Sequence, residues 1–270
     1  MTIGIDMGIS TTKIAALEGG APRGFCSVLA AGVDPVASAS GALGRLLRDR
    51  RAPLSAIRRV AVTGIRADAL GGELFGLACT RVSEFQATGR GGLSLSGLDR
   101  AIVVGMGTGT SILRADRGEI RHLGGSGVGG GTLVGLSRAL LRTTEVPAVL
   151  EAAAGGNLAR VDLRISDLLP GNLENLPAHA TASNFGRLDG EPGPGDYALG
   201  ILNLVFQTAG VLACFAARQE GLDDVVLTGR LATIPQAREI FAGFAGLYPV
   251  TFHFPQNPEY ATALGAALCI

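Results

Sequence analysis

The chain has 270 residues, 47% of them hydrophobic and 17% charged, enough apolar material to bury a core as one large domain or two intimate lobes and too much for a disordered chain. Its 23 basic and 23 acidic side chains balance to a formal net charge of zero, so the electrostatic footprint of a nucleic-acid or anionic-membrane binder is missing. Small or locally complementary partners are what this balance leaves.

Residues 3–6 predict a strand ending in Asp6, residues 7–12 a turn of small and hydroxyl side chains, and residues 13–17 the returning strand of a hairpin. The opening residues lack the basic, apolar and cleavage-site pattern of an export signal, which makes the cytoplasm the expected location. Leu43, Leu46 and Leu47 give residues 43–51 helical spacing with basic residues opposite, and residues 60–63 follow as a short strand closed by Gly64. Residues 80–82 read as a strand running into Glu84, with helix expected through Thr88 and a break at Gly91 and Gly92.

The opening pattern then recurs. Residues 101–104 predict a buried strand, 105–110 a Gly/Thr loop and 111–115 a return strand, closed by the turn Asp116, Arg117, Gly118. Setting IGIDMGISTTKIAAL from Ile3 beside VVGMGTGTSILRAD from Val103 gives a weak internal similarity, which implies two related lobes, 1–95 and 96–270, with the boundary near residues 90–100. Residues 124–131 hold six glycines with Ser126 and Val128, and open a helix expected over residues 132–141 with Leu133, Leu136 and Leu140 on one face. A Gly-rich loop at a helix start aims backbone amides and the helix dipole at an anion. Beyond a Pro/Gly loop at 191–196, residues 197–219 read as a long apolar helix. Within it the apolar run from Ile201 to Ala217, interrupted by Asn203, Gln207 and Thr208 and ended by Arg218, falls short of the ~20 residues a bilayer needs, so the helix is expected to be buried. A buried strand over 225–228 ends at Gly229, and an Ala-rich helix over 262–269 closes the chain.

Glycine, 41 of 270 residues, is concentrated in these loops, as close approach of backbone to a ligand requires. Lys13, the single lysine beside 22 arginines, sits in the first of them. An acid at a strand end beside hydroxyls and a lysine is what a magnesium nucleotide needs. Asp6 can hold Mg²⁺ directly or through water, while Ser10, Thr11, Thr12 and Lys13, with the backbone at Gly8, can reach phosphate oxygens. Gly107, Thr108, Gly109 and Thr110 offer amides and hydroxyls from the other side. Neither GxGxxG in a Rossmann context nor GxxxxGK[ST] occurs, which leaves the two-hairpin pattern as the nucleotide reading. Glu84, between a strand and a helix, can be held in a cleft as a general base, or can be an ordinary helix-start acid favoured by the dipole. Cys26, Cys79, Cys214 and Cys269 form no CxxC pair, have no His at metal-ligand spacing and read as reduced thiols.

The segments GIDMGISTTK at Gly4, VSEFQA at Val82, GMGTGTS at Gly105, RHLGGSGVGGGTLVGLSRAL at Arg121, TASNFG at Thr181, VVLTGRL at Val225 and YATALGAAL at Tyr260 follow in that order along nearly the whole chain. In order and spacing they resemble the type II pantothenate kinases of the actin-, hexokinase- and heat-shock-ATPase-like superfamily. The resemblance implies an α/β fold of two ribonuclease H-like lobes, with the nucleotide site in the cleft between them, assembled as a homodimer. It also implies ATP- and Mg²⁺-dependent phosphorylation of the primary hydroxyl of pantothenate, the first step of coenzyme A biosynthesis. On this resemblance Asp6 takes the magnesium position and Glu84 that of the catalytic acid accepting the hydroxyl proton. Gly107 to Thr110 fall on the phosphate turn, Gly129, Gly130, Gly131 and Thr132 on the nucleotide loop and helix start, and Gly229 on a wall of the nucleotide site. Ser111, Arg121, His122, Gly124 and Ala182 fall on the substrate side, Ala182 through the dimer.

Three departures stand out. The family usually has Gly where this chain has Ile9, so the first phosphate turn must adopt a conformation that a β-branched residue tolerates. His122 stands where the family has an arginine that grips pantothenate, and Arg121, one residue earlier on a strand, faces the other way without a bulge. A neutral imidazole gives no bidentate, permanently charged grip. Gln86 replaces a family acid near Glu84. These changes keep open a kinase of a different small hydroxy acceptor, or a catalytically silent sensor of nucleotide or coenzyme A. The ATPases that activate dehydratases are similar at the two hairpins, but carry cysteines that bridge a [4Fe-4S] cluster in a Gly-flanked pattern this chain lacks.

Overall fold

The computed structural model describes residues 1–270 apart from Ala31, Asn175 and Ala245. In the N-terminal half, β1 (Thr2–Met7), β2 (Thr11–Glu18) and β3 (Ala21–Leu29) form an antiparallel meander, followed by α1 (Pro35–Arg50), β4 (Arg59–Thr63), the short β5 (Glu73–Leu74), β6 (Leu77–Arg81) and α2 (Glu84–Ser96). The sheet order is β3-β2-β1-β4-β6-β5, with β4 and β6 running parallel to β1. Asp34 caps α1 by accepting from the Ala37 amide at 2.9 Å, as a helix start with a Pro at the next position favours. Ala39, Ala42, Leu43 and Leu46 on its inner face pack on Ile3, Ile5 and Ile14.

The C-terminal half repeats this plan. β7 (Arg100–Met106), β8 (Thr110–Asp116) and β9 (Ile120–Ser126) form a second meander. After it come α3 (Gly130–Leu141), α4 (Val146–Ala154), β10 (Leu163–Arg164), α5 (Ile165–Leu168), β11 (Thr181–Ser183) and α6 (Pro194–Glu220). The chain ends with β12 (Asp224–Thr228), α7 (Pro235–Ala242), β13 (Thr251–His253) and α8 (Ala261–Leu268). The second sheet has the order β13-β12-β7-β8-β9, with β12 parallel to β7 and to β13. A meander followed by parallel strands on its first-strand side therefore occurs twice, which is the repeat expected from the two similar segments. The 27-residue α6 is the one helix among the described residues with the length and apolarity to cross a bilayer, and 61% of its apolar window is buried. It lies in the core with Ile102, Val104 and Ile112.

The two sheets are locked together by their last helices. Leu93 of α2 packs with Val103 and Leu113 of the second sheet, whereas Leu264 of α8 packs with Ala15 of the first. Where the two helices cross, backbone meets backbone: a Cβ on Gly265 would lie 1.7 Å from the Ala87 carbonyl oxygen, and one on Gly91 would lie 1.8 Å from that of Ala261. The expected break at Gly91 and Gly92 is therefore not one. Both lie inside α2, where lacking a side chain lets Gly91 meet α8 and Gly92 pack against Val103 of β7, at some loss of helix propensity. Two further differences concern strands. β3 was not expected, because Pro22, Arg23 and Gly24 spoil its alternation, yet it pairs along β2. The glycine run, expected as loop, begins instead as strand: Gly124, Gly125 and Ser126 continue β9.

Candidate functional site

Each meander turns through a tight tip between its first two strands. In the first, the Gly8 amide donates to the Thr11 carbonyl at 3.2 Å and the Ala30 amide to that of Ser10 at 3.0 Å. In the second, the Gly107 amide donates to the Gly109 carbonyl at 2.9 Å. Among the described residues the amides of Ile9, Ser10, Thr108 and Gly109 have no hydrogen-bond partner, so each tip offers two adjacent donors to an anion. Ile9 is not among the residues with positive φ, and the tip accommodates its β-branch without strain.

Strand alternation decides which side chains join these tips. Asp6 is 6% exposed, and its Oδ2 lies 3.2 Å from Lys13 Nζ across the hairpin. Its Oδ1 lies against Gly64, where a Cβ would come within 2.8 Å of it. Gly64 sits at φ +91°, a left-handed conformation suited to glycine. Thr63, opposite Asp6 on β4, buries a hydroxyl with no partner among the described residues. Thr11 shares the face of Lys13, but Thr12 is turned to the other: it is 1% exposed and its Oγ1 accepts from Ser38 Oγ of α1 at 2.7 Å. The expectation that Thr12 reaches phosphate is corrected, since its hydroxyl belongs to the α1 interface.

Glu84 opens α2. Glu84 is exposed, yet the protein packed around it withdraws its carboxyl in part from bulk solvent, and that raises its pKa. The Asp6 charge raises it further, against smaller opposing pulls from Lys13 and Arg81. A helix start alone would lower it, so the cleft outweighs the dipole. Arg81, just before, is held by a 2.9 Å hydrogen bond from Nη1 to the Gly64 carbonyl. The first turn of α2 is fastened to β9 by two contacts: Gln86 Nε2 donates to the Ile120 carbonyl at 3.0 Å, and the Phe85 ring stacks on His122 with centroids 4.1 Å apart and planes 4° apart.

His122 faces Glu84's helix because it pairs with Leu113, and Leu113 packs on α2. Ser111 shares that parity, and a Cβ on Gly105 would lie 2.6 Å from its hydroxyl. Arg121 takes the opposite parity. It pairs with Arg114 in register, and both reach Glu220 at the end of α6. The β-bulge between these strands, at the step from Ile112 to Leu113, leaves that parity unchanged, so Arg121 is corrected from the substrate side to a structural ion pair. Gly124 lies at the bulge with φ +152°.

The glycine loop is used differently from the expectation. The Gly130 and Gly131 amides donate to the Gly107 and Thr108 carbonyls at 2.9 and 2.8 Å, and the Gly129 amide donates to Thr132 Oγ1 at 3.2 Å. Thr110 Oγ1 donates to the Val128 carbonyl at 2.8 Å. These amides and hydroxyls are therefore not free for an anion; they clamp the second tip, whose own amides are. Cβ atoms at Gly109 or Gly129 would collide with the facing backbone at 2.8 and 2.6 Å, which accounts for glycine at both. Gly229, at φ +88° after β12, brings its backbone against Met106, and its amide donates to the Pro258 carbonyl at 2.9 Å.

Ala182 stands apart from this cleft. It lies on the β10–β11 ribbon, which is anchored by buried Asp162. The carboxylate accepts from Thr181 Oγ1 at 3.1 Å, Asn203 Nδ2 at 2.8 Å and the Phe185 amide at 2.9 Å. Residues that sequence reasoning did not select include Gly64, Arg81, Phe85, Arg230 and Glu259. Only Gly64, as a glycine closing a strand, carries a local signal; the others acquire their place from tertiary packing.

Two β-meander lobes, with an acid and a lysine on the first and a carboxylate opening the helix α2 that packs between the sheets, define a two-lobed phosphotransferase-like scaffold. The fold is that of the actin-like ATPases. Solved structures sharing it include component A of the (R)-2-hydroxyglutaryl-CoA dehydratase of Acidaminococcus fermentans, with TM-score 0.71, 19% identity and coverage of 99% of this chain and 96% of that one. Another is the activator of the 2-hydroxyisocaproyl-CoA dehydratase from Clostridium difficile with bound ADPNP, with TM-score 0.69, 18% identity and coverage of 99% and 93%. The family described as Fumble matches residues 100–267, and the chain belongs to it. Its relatives include a type II pantothenate kinase of Staphylococcus haemolyticus, 28% identical over 68% of this chain and 73% of that protein. One of Staphylococcus aureus is 26% identical over 98% of both. A 4'-phosphopantetheine phosphatase of Mus musculus is 33% identical over 47% of this chain, which spans only 16% of that protein.

Proposed function

We propose that the protein is a pantothenate kinase, transferring the γ-phosphoryl group of ATP to the primary hydroxyl of pantothenate. The observation that carries this reading is Glu84, a carboxylate of raised pKa in the same electrostatic field as Asp6 and Lys13, in a chain of the Fumble family. A carboxylate whose pKa is raised binds the hydroxyl proton more strongly than an ordinary glutamate does. The acceptor oxygen forms its bond to phosphorus as its proton passes to Glu84, and the bond to the leaving ADP oxygen breaks. Lys13 and the open amides of the two tips bind the phosphate oxygens, and closure of the lobes excludes water.

Among the described residues no three metal-binding side chains cluster. A Mg²⁺ carried on nucleotide phosphates needs one or two carboxylates and water, and Asp6, with Oδ1 beside Gly64 and Oδ2 on Lys13, fits that requirement. When bound, Mg²⁺ would neutralise phosphate charge. The division into lobes 1–95 and 96–270, a homodimer that brings the Ala182 ribbon to the substrate side, and a cytoplasmic location belong to the same reading.

A specific observation favours a second acceptor class. The β9 side chain packed against the first turn of α2 is an imidazole stacked on Phe85, and the neighbouring guanidinium is held by Glu220, so neither offers a free, fixed positive charge to an acceptor carboxylate. The test is transfer of label from γ-labelled ATP, with pantothenate and a panel of small hydroxy acids and amides. Labelled phosphopantothenate from wild type and none from Glu84→Gln supports the reading; ATP-dependent labelling of another acceptor alone selects the second class.

A further inference from the structure

Behind the first hairpin lies a cavity of about 260 Å³ between the lobes. Lys13, Thr11 and Ser27 line it from the first sheet, and Arg230, Thr233 and Glu259 from the other side. Glu259 belongs to the 3-10 turn Pro258–Tyr260, which bridges the lobes. The Pro258 carbonyl takes the Gly229 amide, and Tyr260 stacks on Phe25 of β3 with centroids 4.9 Å apart. Glu259 Oε2 is buried and accepts no hydrogen bond among the described residues. Although Lys13 and Arg230 line the same cavity, neither forms an ion pair with it, Lys13 being turned to Asp6.

A carboxylate oxygen hidden from water without a donor is unfavourable. The chemistry that would satisfy this cavity is a ligand bearing donors for Glu259 together with negative charge for the two cations. We propose that Glu259 accepts hydrogen bonds from the ribose hydroxyls of the bound nucleotide, making it the residue that selects ribonucleotides. This inference rests on the proposed nucleotide reading. Lys13 joins the phosphate tip to the cavity, and the sugar is the next group of a nucleotide beyond its phosphates. Vicinal hydroxyls supply donors without bringing a charge that would compete with Lys13 or Arg230. The bridge formed by Gly229, Pro258 and the Tyr260–Phe25 stack holds the backbone of Glu259 between the lobes, so little backbone ordering accompanies binding.

The experiment is calorimetric binding of ATP and of 2′,3′-dideoxy-ATP, without acceptor, to wild type, Glu259→Ala and Glu259→Gln. Wild type should bind the dideoxy nucleotide about tenfold or more weakly, the size expected for hydrogen bonds to a charged group. Glu259→Ala should weaken ATP binding and bring the ratio close to one, while Glu259→Gln, which keeps one acceptor oxygen, should fall between. Equal binding of both nucleotides by wild type, or an undiminished ratio in Glu259→Ala, overturns the assignment and leaves the kinase reading standing. Failure of wild type to bind ATP overturns both.

Discussion

Asp6 and Lys13 face each other across the first hairpin, with Oδ2 and Nζ 3.2 Å apart, in a register fixed by the pairing of β1 with β2. The ammonium balances an acid that is otherwise buried and leaves its second oxygen beside Gly64 for a cation. Asp6→Asn keeps the shape and removes the charge. It should raise the half-saturating Mg²⁺ concentration by on the order of tenfold or more and lower turnover with it. An unchanged Mg²⁺ titration removes Asp6 from the assigned role.

Glu84→Gln should lower turnover by ~10²-fold or more with little change in ATP affinity, because only the proton transfer is lost. Calorimetry with ATP and initial rates with the acceptor separate the two effects. Since burial and the Asp6 charge raise the Glu84 pKa from its ordinary 4.5, the acid limb of kcat/KM for wild type should lie above pH 4.5. A limb at or below that value contradicts Glu84 as the base.

The same shift has a consequence for stability. Well below pH 4.5 Glu84 is protonated in both the folded and the unfolded chain. As pH rises, the unfolded carboxyl ionises first, and the native state loses stability until the raised native pKa is passed. Glu84→Gln has no such loss. Its Tm should match that of wild type near pH 4 and exceed it at pH 7.5. A gap that is the same at both pH values would mean the gain comes from packing rather than from ionisation.

Asp162 is fully buried and takes donors from Thr181, Asn184, Asn203 and the Phe185 amide. Asp162→Ala strands those donors, and leaving buried polar groups unpaired should cost about 3 kcal/mol. Denaturant titration measures the loss, and limited proteolysis should locate the first cuts within residues 158–187, on the ribbon that Asp162 anchors to α6. First cuts elsewhere contradict that anchoring role.

Asp6 and Lys13 stand out in sequence because they flank a turn of small and hydroxyl residues, and Glu84 because it lies between a strand and a helix, local patterns visible without knowledge of the fold. The repeat was legible for the same reason. Arg121 and Thr12 were misjudged because their facing depends on strand parity relative to α2 and α1, which a motif does not carry. Gly130 and Gly131 looked like open amides at a helix start, yet their partners are carbonyls about twenty residues earlier, at Gly107 and Thr108. Glu259 gave no signal at all: its isolation from donors arises only when the bridge from Gly229 to Phe25 closes over it.

The reading of Gly91 and Gly92 as a helix break failed for a reason that is itself testable. At the crossing of α2 and α8, Gly265 leaves no room for a methyl group, the nearest atom being the Ala87 carbonyl oxygen at 1.7 Å, with the Gly91 amide at 2.7 Å. Backbone cannot swing aside as a side chain can, so Gly265→Ala must part the helices that join the lobes, at a cost of about 3 kcal/mol or more. Gly44 lies on the exposed face of α1, with nothing within 4 Å of an added Cβ. There the same change should stabilise by about 1 kcal/mol through helix propensity alone. Thermal unfolding of the two variants should therefore move Tm in opposite directions. Because α2 carries Glu84 and α8 follows Glu259, Gly265→Ala should also weaken ATP binding, whereas Gly44→Ala should leave it unchanged. A Gly265→Ala protein with wild-type Tm would show that the crossing is looser than these distances require.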